Sequence, residues 1–302
     1  MNVERDFPLA RLTTVRAGGN AELFARPASE AELVELLSFA AAEGHGVEVV
    51  GSGSNLLVAD SGVDGLVLKL DGELTDLERD GTRVLCGGGV RLPSAAAKVA
   101  RWGLTGLEFG INIPGTVGGA VRMNANAYGG ELAAVLEWVT VCGPNGAERK
   151  EPGELGFAYR RSSLDAGQVV SKASFALADA EPEAVKATLA EMRSKRREAQ
   201  PSGIKTFGST FKNPDDPRAD GKSAGVLLDS VGARGLTVGG ARFSEKHANF
   251  VDNTGDATTA DILALMAEGR RLVHERYGVV LEPEVQVLGN TEWPESWELK
   301  AS

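Results

Sequence analysis

The chain of 302 residues is long enough to bury two or three modest cores, and its 42% hydrophobic and 25% charged residues are proportions typical of a soluble globular protein. A net charge of −10 argues against a nucleic-acid surface, so any anionic ligand must be held by local arginines, lysines and backbone amides. No apolar run approaches bilayer-spanning length and the start, MNVERDFPLARL, lacks a signal-peptide core, so a cytoplasmic protein without membrane insertion is expected.

In chain order, Asn20 to Arg26 reads as a strand closed by Pro27. Ser29 with Glu32 forms a capping-box pattern, after which Leu33, Leu36, Leu37 and Ala40 recur at helical spacing as far as Glu43. Gly44 and Gly46 end that helix before the strand Val47 to Val50, completing a β-α-β unit. That strand runs into Gly51-Ser52-Gly53-Ser54-Asn55, which invites a dinucleotide-fold reading and fails it. The third glycine is replaced by Leu56, and strand-like sequence follows where a helix is required.

Thr82 to Cys86 predicts a strand and Pro93 to Trp102 a helix. Gly106 to Leu132 then concentrates glycines and small residues with neither helical nor strand periodicity. Within it, Pro114-Gly115-Thr116-Val117-Gly118-Gly119 could present a concave array of N–H groups to a phosphate, although an ordinary surface loop fits its composition equally well. Val135 to Cys142 and Ala147 to Lys150 flank the hairpin signal Pro144-Asn145-Gly146. Val169 to Leu177 predicts a strand, and Glu181 to about Arg197 a helix that grows more basic toward its end. Gln200-Pro201-Ser202-Gly203 reads as a domain boundary. Beyond it, Ala224 to Val231 is a helix and Asn249 to Asp252 a strand. Thr258 or Thr259 caps a long helix with Ile262, Leu265, Met266, Gly269, Leu272 and Val273 on its buried face. Val279 to Leu288 is a final strand carrying Glu282 and Glu284. Cys86 and Cys142 lack metal or redox spacing and read as buried thiols, while the three scattered histidines argue against a metal site.

Taken singly, Arg160 fits a surface charge, Ser209 a turn residue and Glu284 an exposed strand position; spacing alone does not join them. Resemblance does. GSGSNLLV, IPGTVGGAVRMNANAYGGEL, YRRSS, GSTFKNP, AGVLLDSVGARGLTVGGARFSEKHANFVDN and LEPEVQVLG occur in this order and cover nearly the whole chain. Together they closely resemble the UDP-N-acetylenolpyruvoylglucosamine reductases, the MurB flavoenzymes of peptidoglycan synthesis.

The resemblance implies an α+β fold: a two-subdomain FAD-binding region of the vanillyl-alcohol-oxidase/PCMH type over residues 1–58 and 59–198, then a substrate domain over 199–302. It implies non-covalent FAD held by Gly51, Ser52, Gly53, Ser54, Asn55, Leu56, Pro114, Gly115, Thr116, Gly118, Gly119, Ala120, Asn124 and Ala125, with Arg242 a further flavin contact. NADPH would reduce the flavin and leave, and the enolpyruvyl UDP-sugar would then be reduced, a step of cell-wall biogenesis underlying cell shape and division. Hydride delivery to the enolpyruvyl CH2 carbon drives electron density into the neighbouring carboxylate, which needs preset cationic or hydrogen-bonding partners. Arg160 resembles the family's arginine in that role, Glu284 a protonated donor beside it, and Ser209 the serine that delivers a proton to the adjacent carbon. Lys205, Lys212, Asn213 and Tyr128 match positions near the UDP-sugar.

The chain departs from the family pattern at Asn112 and Asn126, where glycine or a small residue is commoner, and at Gly203 to Phe207. The short interval between Arg160 and Ser209 resembles the type II branch, which lacks a tyrosine-bearing capping loop. A monomer or weak oligomer is expected. The competing readings are an FAD-dependent oxidase of the same fold acting on another small molecule, and a flavin- or sugar-nucleotide-binding protein without turnover.

Overall fold

The first helix shows how local chemistry sets boundaries. In α1 (Glu30–Glu43), Ser29 Oγ accepts the Glu32 N–H, while the Glu32 carboxylate accepts from Ala28 rather than from Ser29, and Gly44 ends the helix at φ 74°. The computed structural model describes residues 2–201 and 203–298, so Ser202 in the expected domain boundary lies outside the described residues. Contacts group the chain into two interleaved units. The first holds residues up to Asp6, Glu22–Ser52 and Asp64–Glu198. The second holds Phe7–Ala21, Gly53–Val63 and the chain from Ala199 onward. The chain therefore passes between units several times, a connectivity absent from the linear division at 58/59 and 198/199.

The first unit contains a five-stranded antiparallel sheet in the order Gly146–Lys150, Leu136–Gly143, Val169–Ala176, Arg83–Gly87, Leu77–Asp80. Its apolar face buries Val84, Val139 and Phe175 against helix α2 (Leu92–Arg101) and the six-residue helix α3 (Val117–Arg122). Pro144-Asn145 closes the hairpin beyond the Gly143↔Gly146 pair. Cys86 and Cys142 are free and buried on these strands, and burial pushes the Cys86 thiol up to about 12. A second, four-stranded sheet runs Val3–Pro8, Asn20–Ala25, Val63–Leu68, Val47–Val49. The strand after α1 therefore pairs, in parallel, with Val63–Leu68 rather than with the strand before it. Helix α4 (Pro182–Ala199) is largely solvated; Val185 and Leu189 anchor it on Ala96, Ala100 and Ile111.

The glycine-rich stretch from Gly106 is more regular than its periodicity suggests. It folds as a 3-10 turn (Glu108–Asn112), helix α3, and a small antiparallel pair, Asn126–Ala127 with Gly130–Glu131. Asn112 and Asn126 adopt ordinary backbone; left-handed conformations fall instead at Asn124 and Tyr128. Asn112 has a packing role, since its amide donates to Met192 O at 2.8 Å and its carbonyl accepts from Arg196, both on α4.

In the second unit, helices α5 (Ala224–Ser230) and α6 (Thr259–Tyr277) enclose a core of Phe207, Phe211, Phe243, Leu228, Ile262 and Met266. Thr258 and Asp261 form a full capping box on α6. Gly269 is required on α6 because a Cβ there would lie 2.7 Å from the Phe243 ring. Leu272, expected on the buried face, is only half-buried. A three-stranded antiparallel sheet joins Thr237–Val238, Ala241–Phe243 and Val251–Asn253, and Leu56–Val58 pairs in parallel with Gln286–Leu288.

The expected final strand from Val279 is shorter, spanning only Gln286–Leu288. Glu284 lies not in that strand but in the segment before it, which pairs with Thr210–Lys212 around the Phe211–Pro283 bridge; Pro283 occupies the pair that exchanges no backbone bonds, and a bend at Val285 separates this pairing from the strand. Among the described residues, no helix is long and apolar enough to cross a membrane.

Candidate active site

In the first unit, a Cβ on Gly51 would fall 2.5 Å from Thr116 Oγ1, so the expected phosphate loops at 51–52 and 114–120 lie in direct contact. Lys69 Nζ donates to Gly51 O at 2.7 Å; burial, with Arg26 and Arg91 nearby, pulls that ammonium below its ordinary pKa despite Asp71. The fit to a dinucleotide cofactor rests on two buried oxygens, Ser52 Oγ and Asn124 Oδ1, that have no protein partner. These residues, with Gly115 and Thr116, could hold the FAD pyrophosphate and adjoining groups.

The amide array is narrower than the glycine run suggests. Val117 and Gly118 N–H donate to Val90 O and Gly88 O at 2.8 Å each, and Gly119 N–H meets Thr116 Oγ1 at 3.3 Å. Gly118 is small for packing, since its Cβ would lie 3.1 Å from Gly88 O and 3.2 Å from Val170 O. Ala120 and Ala125 are buried, joined by a 2.9 Å backbone bond.

Arg160 sits at the tip of a tight turn in which Ala158 and Arg161 exchange backbone bonds of 3.0 and 3.1 Å. Its φ of 56° is one that non-glycine residues seldom adopt. Its Nη1 reaches Asn126 O at 3.4 Å and its guanidinium lies 5.5 Å from the Tyr159 ring centre. Tyr128, also left-handed at φ 52°, is exposed, with the charges of Lys195 and Arg196 on α4 nearby.

The second unit gathers a continuous set of expected site residues. Gly53 has φ 63°, and a Cβ there would lie 2.0 Å from Leu12 O, leaving no alternative to glycine. Asn55 Nδ2 donates to Glu284 O at 3.1 Å and Asn55 O accepts from Gln286 N at 3.0 Å. Gly208 places Ser209 beside this loop, since its Cβ would meet Ser54 O at 3.6 Å. Ser209 bridges Phe250. Two ladder bonds then tie the serine segment to the glutamate segment: Glu284 N to Thr210 O and Lys212 N to Glu282 O, 2.9 Å each. Ser209 and Glu284, which spacing could not join, thus sit on adjacent hydrogen-bonded segments together with Asn55.

Other expected residues have structural partners. Lys212 Nζ pairs with Glu282 at 3.1 Å, and Asn213 Oδ1 accepts the Ala224 N–H at the start of α5. Lys205 bridges Asn253. Arg242, on Ala241–Phe243, lies 3.6 Å from Asp252, whose carboxyl burial pushes upward although Arg242 draws it down. Leu56 opens the strand paired with Gln286–Leu288.

One residue the sequence did not single out organises this region. Asn249, only 4% exposed, accepts the Phe211 N–H and donates to Phe211 O, both at 2.9 Å, while its own carbonyl accepts from Thr210. The side chain of an asparagine next to a strand carries no local signal of such a clamp.

A family model described as "FAD binding domain" matches residues 21–150, and one described as "UDP-N-acetylenolpyruvoylglucosamine reductase, C-terminal domain" matches residues 200–288. The protein is an FAD-containing oxidoreductase of α+β fold, with an FAD-binding region and a C-terminal domain. It is 44% identical to UDP-N-acetylenolpyruvoylglucosamine reductase 2 of Symbiobacterium thermophilum over 96% of this chain and 94% of that one. It is 41% identical to the reductase of Heliobacterium modesticaldum over 94% and 90%. The crystal structure of the MurB reductase from Thermus caldophilus superposes with a TM-score of 0.82 at 38% identity, over 97% of this chain and all of that one. The chain belongs to the UDP-N-acetylenolpyruvoylglucosamine reductase family.

Proposed function

We propose that this protein reduces UDP-N-acetylglucosamine enolpyruvate to UDP-N-acetylmuramate in cytoplasmic peptidoglycan precursor synthesis, with NADPH as the hydride donor. Bound FAD would supply the hydride relay between the two substrates. The single observation that best supports the reading, beyond family membership, is the hydrogen-bonded grouping of Asn55, Ser209–Lys212 and Glu282–Gln286 in the second unit.

In this reading Gly51 to Leu56, Pro114 to Ala120, Asn124, Ala125 and Arg242 hold the cofactor. Arg160 and Glu284 bind the enolpyruvyl carboxylate as negative charge develops on it, and preset donors serve this better than mobile ones. Ser209 Oγ delivers the proton to the carbon next to the carboxylate. A serine hydroxyl is a weak acid, so its competence rests on fixed position, which the ladder to residues 282–284 supports. Tyr128, Lys205, Lys212 and Asn213 contact the UDP-sugar.

The test is anaerobic stopped-flow absorbance on purified protein. A flavin spectrum that bleaches with NADPH and recovers on adding the enolpyruvyl UDP-sugar is expected. Slow bleaching, or recovery only on admitting oxygen, would replace this reading with an oxidase.

A further inference from the structure

The turn that presents Arg160 is held at a backbone conformation arginine disfavours, so something outside the turn must fix it. Its own loop, residues 156–168, is largely exposed and carries no regular structure beyond the Ala158–Arg161 bridge. Leu164 packs into the first unit's core and Ser163 N–H bonds Leu155 O, and a further set of restraints comes from the segment at the end of α3. Arg122, the last residue of that helix, donates from Nη1 to Leu164 O at 3.2 Å and from Nη2 to Asp165 O at 3.2 Å and Gln168 O at 2.5 Å. Its own carbonyl accepts the Ser162 hydroxyl at 2.8 Å. Asn124 Nδ2 reaches Ala158 O at 3.4 Å, and Arg160 itself reaches back to Asn126 O. Every residue in this network belongs to the first unit.

We propose that Arg122 is a positioning residue for Arg160: its guanidinium gathers three carbonyls of the 164–168 segment and locks the Arg160 loop onto helix α3. The fork geometry is the reason for arginine here, because the planar guanidinium spreads its donors over separate nitrogens, Nη1 for Leu164 O and Nη2 for Asp165 O and Gln168 O, whereas the three donors of a lysine ammonium all radiate from one atom. Since Thr116 caps the N-terminus of α3, one short helix joins the proposed cofactor contact to the loop of the arginine that meets the substrate carboxylate. The inference rests on the reductase reading for its kinetic arm and is independent of it for its structural arm.

The experiment uses flavin-loaded enzyme carrying Arg122→Ala, Arg122→Lys or Ser162→Ala, with NADPH and the enolpyruvyl UDP-sugar followed as separate half-reactions, and amide hydrogen exchange of residues 158–168 measured alongside. In Arg122→Ala, the loop amides should lose protection. Flavin reduction by NADPH should stay within about twofold while reoxidation by the sugar slows roughly 10–100-fold, the scale of a small misplacement of a reacting group. Arg122→Lys should behave like the alanine variant. Ser162→Ala should show the same pattern more weakly, and it carries the test if Arg122→Ala does not purify folded. Unchanged loop protection, equal slowing of both half-reactions, or full rescue by lysine would overturn the proposal. If wild-type flavin is not reoxidised by the sugar, the reductase reading fails instead, and the exchange arm still decides whether Arg122 holds the loop.

Discussion

Replacing Asn249 with alanine is the sharpest probe of the second unit's site. The substitution removes the acceptor for Phe211 N–H and the donor to Phe211 O, each bonded at 2.9 Å beneath a surface that leaves Asn249 only 4% exposed. The Thr210 N–H bond to the Asn249 backbone carbonyl survives, so the loss is confined to two buried backbone groups. Each such group left without a partner costs about 1–3 kcal/mol. A water entering the vacated polar space would hold the total toward the lower end, giving an expected loss of about 3 kcal/mol. Asn249→Asp separates the two bonds. It keeps an acceptor for Phe211 N–H but sets a carboxylate oxygen against Phe211 O, so it should be at least as destabilising as alanine. Urea titration followed by tryptophan fluorescence suits the measurement, because Trp297 stacks on Phe211 with ring centres 6.4 Å apart. An alanine variant within about 0.5 kcal/mol of wild type, or an aspartate variant more stable than alanine, would refute the reasoning.

Three further outcomes are expected. Ser209→Ala should leave flavin reduction by NADPH nearly unchanged while slowing reoxidation by the enolpyruvyl sugar on the order of 10²–10⁴-fold, and loss of FAD binding would remove the role assigned to Ser209. Gly53→Ala forces a left-handed alanine, about 1–2 kcal/mol, and a Cβ 2.0 Å from Leu12 O, so it should lower the melting temperature by several degrees; a shift of under about 2 °C would show that the loop yields freely. Hydrogen bonds from Arg83, and then Ser174, hold the Glu137 carboxyl down at about 2, below its ordinary 4.5. A depressed carboxyl stabilises the fold above its unfolded value and loses that contribution as pH falls through the folded one, so the gap between wild type and Glu137→Gln should be full above about pH 5 and close toward about pH 2. A gap unchanged at about pH 2.5 would show that the Arg83 pairing does not set it.

Much of the fold is written locally. Ser29, Gly44, Thr258 and Pro144-Asn145 each act within a few residues, so the helices and hairpin they bound follow from the sequence to within a residue or two. The exceptions share a cause, namely that their determinants lie far away in the chain. Val117 and Gly118 look like free amides until Gly88 and Val90 are seen to take them. Asn249 clamps a residue 38 positions away. The strand suggested by the apolar alternation of Val285 and Val287 is divided where the chain changes partner, from Thr210–Lys212 before the bend at Val285 to Leu56–Val58 after it. The departures at Asn112 and Asn126 do not mark the left-handed positions, for a related reason. Asn112, polar where the family favours small residues, answers to α4 rather than to a turn, whereas Tyr128 and Arg160 take φ values their residue types do not advertise. For the site, the resemblance named Arg160, Ser209 and Glu284, and the second unit shows why the latter two belong together: their segments share a ladder.

The parallel pairing of Leu56–Val58 with Gln286–Leu288 has a consequence during synthesis. Leu57, with Val15 and Ala17, belongs to a core whose other members run from Phe207 to Val285. While a ribosome is still making that C-terminal portion, these early apolar side chains have emerged with nothing to bury them, and a short strand edge is left open to other chains. The first unit, complete once residue 198 has emerged, can form earlier. Stalled or truncated chains ending before residue 286 should therefore be the aggregation-prone species, and chaperone demand should concentrate in the last part of translation.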